Sequence, residues 1–142
     1  MRHERASLRD LSARLLRLHA ALLERARRSY ERRHGAVAPR DLLPLLIHDE
    51  HFAWLRPLSG MIAGIDEVVD TAEVVAAQDV ERLFAQVQRL LRSDDSDPAF
   101  HTTYRDALQE SPDVVMHHAD VVKLLVASIG PPPASQAEGG SS

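Results

Sequence analysis

The side chains best suited to chemistry in this chain are its eight histidines, spread over 142 residues without a single cysteine. An imidazole can ligate a transition metal, hold haem iron or move a proton near neutral pH. Which of these is open depends on position. At 100° per residue, His19 falls mid-stripe on the first helical segment, beside Leu8 and Ala26. His118 falls between Leu125 and Ile129, and His51 aligns with Leu58 and Val69 where its segment continues through Pro57. His101 sits at the edge of a Phe100–Tyr104–Leu108 face and His117 on a flank, while His3, His34 and His48 lie near segment ends.

Three inward imidazoles on different helices, His19, His51 and His118, are therefore the candidates for a transition-metal or axial haem site. The favoured alternative is that each is a buried histidine bonded to a Tyr, Ser, Asp or backbone group. A di-iron carboxylate bundle needs Glu-x-x-His on two helices. Only Glu31-Arg-Arg-His34 has that spacing, at a helix end, and Glu24 lies opposite the leucines. His48-Asp49-Glu50-His51 reads as a helix cap followed by surface charges. There is no H-E-x-x-H, no glycine-rich phosphate loop and no G-x-S-x-G. Without cysteine, thiolate metal sites, disulfides and cysteine nucleophiles are excluded. The reading favoured is a non-enzymatic module, without a cofactor, that binds a protein partner, a second copy or a small ligand.

A second cluster surrounds the only tryptophan. Phe52-Ala-Trp-Leu-Arg-Pro-Leu-Ser59 gathers two of the six aromatics, an arginine and a proline. Phe52 and Trp54 project from different sides, so at most one is central to a core. Arg56 is expected to reach a carboxylate such as Asp66 or Glu67, or an anionic ligand. Phe52, Trp54, Arg56, Asp66 and Glu67 are thus the candidate ligand- or partner-binding residues, with core packing at a kink as the favoured alternative. Ala53, Gly60 and Gly64 form a stripe of small residues that predicts a close backbone contact, within the fold or across a homodimer.

On Asp49, the Phe52–Ser59 segment and Ile65-Asp-Glu67, the chain resembles a family of small, uncharacterised bacterial proteins. The leucine-rich first helix and Ser111-Pro-Asp-Val-Val115 with His118 agree more weakly. The resemblance covers most of the chain and implies an all-helical fold; it implies no activity.

The elements that must position these residues read as helices almost throughout. Leu8, Leu11, Leu15, Leu18 and Leu22 recur at three and four, predicting one rod from Ser7, as cap, to His34, with Gly35 ending it. Pro39 opens a short helix carrying Leu42, Leu43, Leu46 and Ile47, which tolerates Pro44 early in its course. Asp49 caps a segment running from Glu50 to about Asp70. Pro57 should kink or restart it by pushing Arg56 away from helical geometry. A third long helix starts between Thr71 and Gln78 and ends near Arg92. Ser93 to Asp97 reads as an acidic loop, Pro98 opens the next helix, and Ser111-Pro112 breaks it before the last one. From Gly130 the text GPPPASQAEGGSS reads as a disordered tail. The prediction is a single all-α domain over 1–129, an up-down four-helix bundle with kinked or split helices, and a tail over 130–142.

Charge and composition narrow the setting. Residues 1–40 hold eleven arginines and four acids, +7, and the remainder holds six basic residues and seventeen acids, −11. This predicts charge pairing within the fold or between subunits. The arginine side of the first helix, Arg9, Arg14, Arg17, Arg25, Arg28 and Arg32, gives nucleic-acid binding only as an unfavoured alternative. No run is long and apolar enough for a membrane span, and the charged first residues give no secretory signal, so a cytoplasmic location is expected.

Overall fold

The computed structural model describes residues 2–92 and 98–129. The acidic loop and the tail expected from the sequence lie outside the described residues. Among those described, the chain is all-helical, in six α-helices and one 3-10 helix. These are α1 (Arg2–His34), α2 (Pro39–His48), the 3-10 helix (Glu50–Leu55), α3 (Arg56–Thr71), α4 (Ala77–Arg92), α5 (Pro98–Glu110) and α6 (Pro112–Ile129). No described helix is long and apolar enough to cross a membrane.

At 1.5 Å per residue, α1 is a rod of about 50 Å, and the rest of the fold is laid along it. It starts five residues earlier than its pattern suggested. Ser7 is an interior helical residue, because the charged stretch before it continues the helix instead of capping it. The five stripe leucines are all fully buried. Truncating any one to Ala should cost about 2–5 kcal/mol, the transfer free energy of the lost atoms plus the cavity left behind. Gly35, at φ 86°, ends the rod in the left-handed conformation, its N–H reaching the Glu31 carbonyl at 2.9 Å.

Proline and cap residues place the other boundaries. Pro39 stands in the first turn of α2 and Pro44 inside it. The Asp49 carboxylate accepts the His51 N–H at 2.8 Å and opens the 3-10 helix. Pro57 restarts the chain as α3, but the mechanism differs from the expected one. Arg56 is helical, at φ −59° and ψ −37°, so the break is a tightening to 3-10 geometry ahead of the proline rather than an extended residue. The Ser111 hydroxyl, 3.3 Å from the Val114 N–H, caps α6.

Two long pairings define the arrangement. The 3-10 helix and α3 run antiparallel to α1 along one side, and α6 runs antiparallel to it along another. The first pairing carries a polar seam with a regular step. Arg5 donates to the Val69 and Ala72 carbonyls, Ser12 to Asp66 at 2.6 Å, His19 faces Ser59 at 2.7 Å, and the Ala26 carbonyl faces His51 at 3.0 Å. From Ser12 through His19 to Ala26, the two steps of seven down α1 meet steps of seven and eight back along α3 and the 3-10 helix. That is the register of two antiparallel helices sharing a heptad seam. Arg5 also satisfies carbonyls at the end of α3 that lack helical partners.

Candidate functional site

Each of the three inward histidines has its own partner. His19 pairs with Ser59 between α1 and α3, and His51 Nε2 donates to the Ala26 carbonyl between the 3-10 helix and α1. His118 Nδ1 meets the Tyr104 hydroxyl at 2.6 Å between α5 and α6. Burial pushes the His19 and His118 imidazoles below the ordinary histidine value and the Tyr104 phenol above its own. A phenol that keeps its proton can donate to Nδ1 of His118. Among the described residues, no three His, Asp or Glu side chains are grouped to hold a metal ion. His101 packs edge-on against Phe100 with a buried Nε2 that has no hydrogen-bond partner among the described residues.

The tryptophan cluster is separated in the same way. Phe52 is fully buried and stands 5.5 Å from the Tyr30 ring. Trp54 is half-buried, with its ring 6.0 Å from Phe100. Arg56 turns back to the end of α2 and donates to the Ile47 carbonyl at 2.6 Å, where it stabilises a helix C-terminus. It bonds to neither Asp66 nor Glu67. Asp66 is taken by Ser12, and Glu67 is exposed. Gly60 and Gly64 are exposed, and a Cβ on either would meet nothing within 4 Å. Gly60 and Gly64 therefore make no close contact with another element among the described residues.

What the fold does bring together is a groove of about 1060 Å³ between α1, the 3-10 helix and the corner where α5 turns into α6. Trp54 and His51 line it from the 3-10 helix, and Thr103, Glu110, Pro112, Asp113 and His117 from the corner. Its α1 side is small at Ala20 and Ala21 and cationic at Arg17, Arg25, Arg28 and Arg32. The groove exists because α5 packs on α6 and the 3-10 helix, which leaves the second half of α1 uncovered there.

The groove's charges are partly committed. Arg25 bridges to Glu110 at 2.5 Å, tying α1 to the end of α5. Glu24 is held below the usual carboxylate range by Arg27, which bonds it most strongly, and by Arg28 at 3.0 Å. Arg17 reaches Asp120 at 3.6 Å, and Arg14 joins the same carboxylate at 3.3 Å. The basic rod thus pairs with acids of α5 and α6. Arg32 makes no hydrogen bond or ion pair among the described residues, and Arg28 makes one bond and is 70% exposed.

Of the five ligand-binding candidates, only Trp54 lines this groove. The α1 arginines were visible as a charged face, and His117 as a flank residue. Thr103 and Glu110 carried no signal beyond lying near the Ser111-Pro112 break. A smaller hollow of about 540 Å³ lies between the end of α1 and α2, lined by Tyr30, His34 and His48.

Comparison with protein-family models, curated proteins and solved structures finds no match to this chain.

Proposed function

We propose that the chain is a non-enzymatic ligand-binding helical module and that the groove beside Trp54 is its binding surface. One observation carries the reading: a concave site at the upper end of the small-ligand range, walled by an indole, two imidazoles and arginines. In this proposal α1, α3, α4 and α6 are the rods of an up-down bundle, and the 3-10 helix and α5 are the inserted pieces that frame the groove. A bacterial origin belongs to the same proposal and rests on the family resemblance alone; a cytoplasmic location belongs to it as well.

Amide NMR against a chemically varied set of small molecules tests it. Shifts should gather on Arg17 to Arg32, Trp54 and Pro112 to His117. Ligands that shift only α3 and α4, or none that shift the groove, would sink the reading.

Self-association is the second reading, favoured by the solvent side of α6. Val115 and Val126 are about half exposed there, on one line with Ala119 and Val122. Light scattering behind size exclusion decides it: a strict monomer at high concentration ends this reading.

A further inference from the structure

We propose that the groove takes a small molecule joining a flat ring to a phosphate-type anion, with the ring against Trp54 and the anion on Arg28 and Arg32. This rests on reading the groove as the binding surface, and adds the class of ligand. The argument begins with the guanidinium groups. Arg28 and Arg32 lie one turn apart on α1, so their side chains leave the same face. Both line the groove with donors to spare: Arg32 has no partner among the described residues, and Arg28 offers one N–H to Glu24.

A guanidinium presents five donors in a planar fork matched to carboxylate or phosphate oxygens, and two forks on one face suit an anion with three oxygens. The carboxylates of the groove take one donor of Arg28 and none of Arg32 among the described residues. Glu110 is taken by Arg25, Glu24 is shared between Arg27 and Arg28, and Asp113 stands across the groove in the first turn of α6.

The ring requirement comes from the opposite wall. A free phosphate would fill little of about 1060 Å³, and facing the α1 side stand Trp54 and Pro112, an apolar surface set among the groove's polar side chains. An indole wall favours a planar ring by dispersion and quadrupole contact. The anion and the ring are thus read by two separate parts of one groove.

Trp54 is the only tryptophan, so its fluorescence reports on this site without interference. The experiment titrates the full chain with adenosine monophosphate, adenosine and inorganic phosphate, following Trp54 emission. Adenosine monophosphate should bind at least about tenfold more tightly than adenosine, and the difference should vanish near 1 M salt. Arg28→Gln with Arg32→Gln should remove the same factor of about ten and Arg32→Gln alone a part of it, whereas Arg9→Gln, the same single charge change placed outside the groove, should remove none.

Equal binding of the nucleotide and the nucleoside, or equal losses in the Arg9 variant and the double variant, overturns the inference and leaves the groove reading standing. So does a groove that binds neutral ligands in the NMR screen while all three probes leave Trp54 unchanged. A groove that binds nothing in either experiment overturns both. The single Arg32→Gln variant keeps the test sound where the double variant melts early, because Arg32 holds no partner among the described residues that its loss would strand.

Discussion

His19 Nε2 stands 2.7 Å from the Ser59 hydroxyl, and that hydroxyl also reaches the Leu55 carbonyl at 3.2 Å. With the hydroxyl hydrogen on Leu55 the imidazole donates from Nε2, and with it turned to His19 the imidazole accepts; either tautomer keeps the contact. This pair lies in the middle of the seam that sets the register of α1 against α3. A polar contact inside a leucine interface contributes less to total stability than to choosing one alignment over its neighbours.

The seam predicts a measurable coupling. Ser59→Ala and His19→Ala, taken singly and together in a double-mutant cycle, should show an interaction of about 1 kcal/mol in urea unfolding. Asp66→Ala should cost about 1–3 kcal/mol, because it strands the buried Ser12 hydroxyl. Additive single effects at His19 and Ser59 would show that the contact does not contribute to stability.

Acid should weaken the fold through the half-buried histidines before the carboxylates titrate. His19 and His118 both have folded-state pKa values lowered by burial from 6.5. Below that value the unfolded chain binds protons that the folded chain refuses, so stability falls as pH falls. Their contribution is complete above about pH 6.5 and is lost as pH drops through the lowered folded values. Glu24 follows at lower pH, its stabilising pairing with Arg27 disappearing as it protonates. Urea midpoints measured across this range should decline with acid, and His19→Gln with His118→Gln should flatten the upper part of the decline. An unchanged slope in that double variant would place the pH dependence elsewhere.

The sequence carried the helical boundaries because they rest on local chemistry. Gly35, Pro39, Asp49, Pro57 and Ser111 act within one turn, and each marks the break it was expected to mark. Arg56 shows the limit of such reasoning, since a 3-10 turn accommodates the following proline with the arginine still helical. The histidines show a deeper limit. Periodicity gives the direction in which His19, His51 and His118 leave their own helices, and all three do turn inward. It does not say which neighbour each will meet, and they meet α3, α1 and α5 respectively. The groove was illegible for the same reason: it is made by the gap between packed helices, and no stretch of chain encodes it alone. The seven-residue recurrence of Arg5, Ser12 and His19 beside the leucines was a signal available in the sequence, and it anticipates the seam with α3.

Gly60 and Gly64 should be replaceable at a gain. Both are interior residues of α3, exposed, with nothing within 4 Å of a Cβ placed on either. Alanine restricts the unfolded chain and suits a helix, so each Gly→Ala change should stabilise by about 0.4–1 kcal/mol. Thermal unfolding of the single and double variants measures this. A loss of stability that depends on protein concentration would instead show the two glycines seated in a contact between copies.

The Tyr104 and His118 pair joins α5 to α6, and its removal separates hydrogen bonding from packing. The Tyr104 ring is buried and stacks on Phe100 with centroids 5.2 Å apart, while its hydroxyl meets His118 Nδ1 at 2.6 Å. Tyr104→Phe keeps the stacking and leaves Nδ1 without its donor, so it should cost about 1–3 kcal/mol. His118→Phe removes the acceptor as well. Paired with Tyr104→Phe, it should recover part of that loss, because no polar group is then stranded at the interface. Chemical unfolding of the three variants reads the comparison, and a double variant less stable than the two single losses combined would show that ring fit, not the hydrogen bond, governs this corner of the fold.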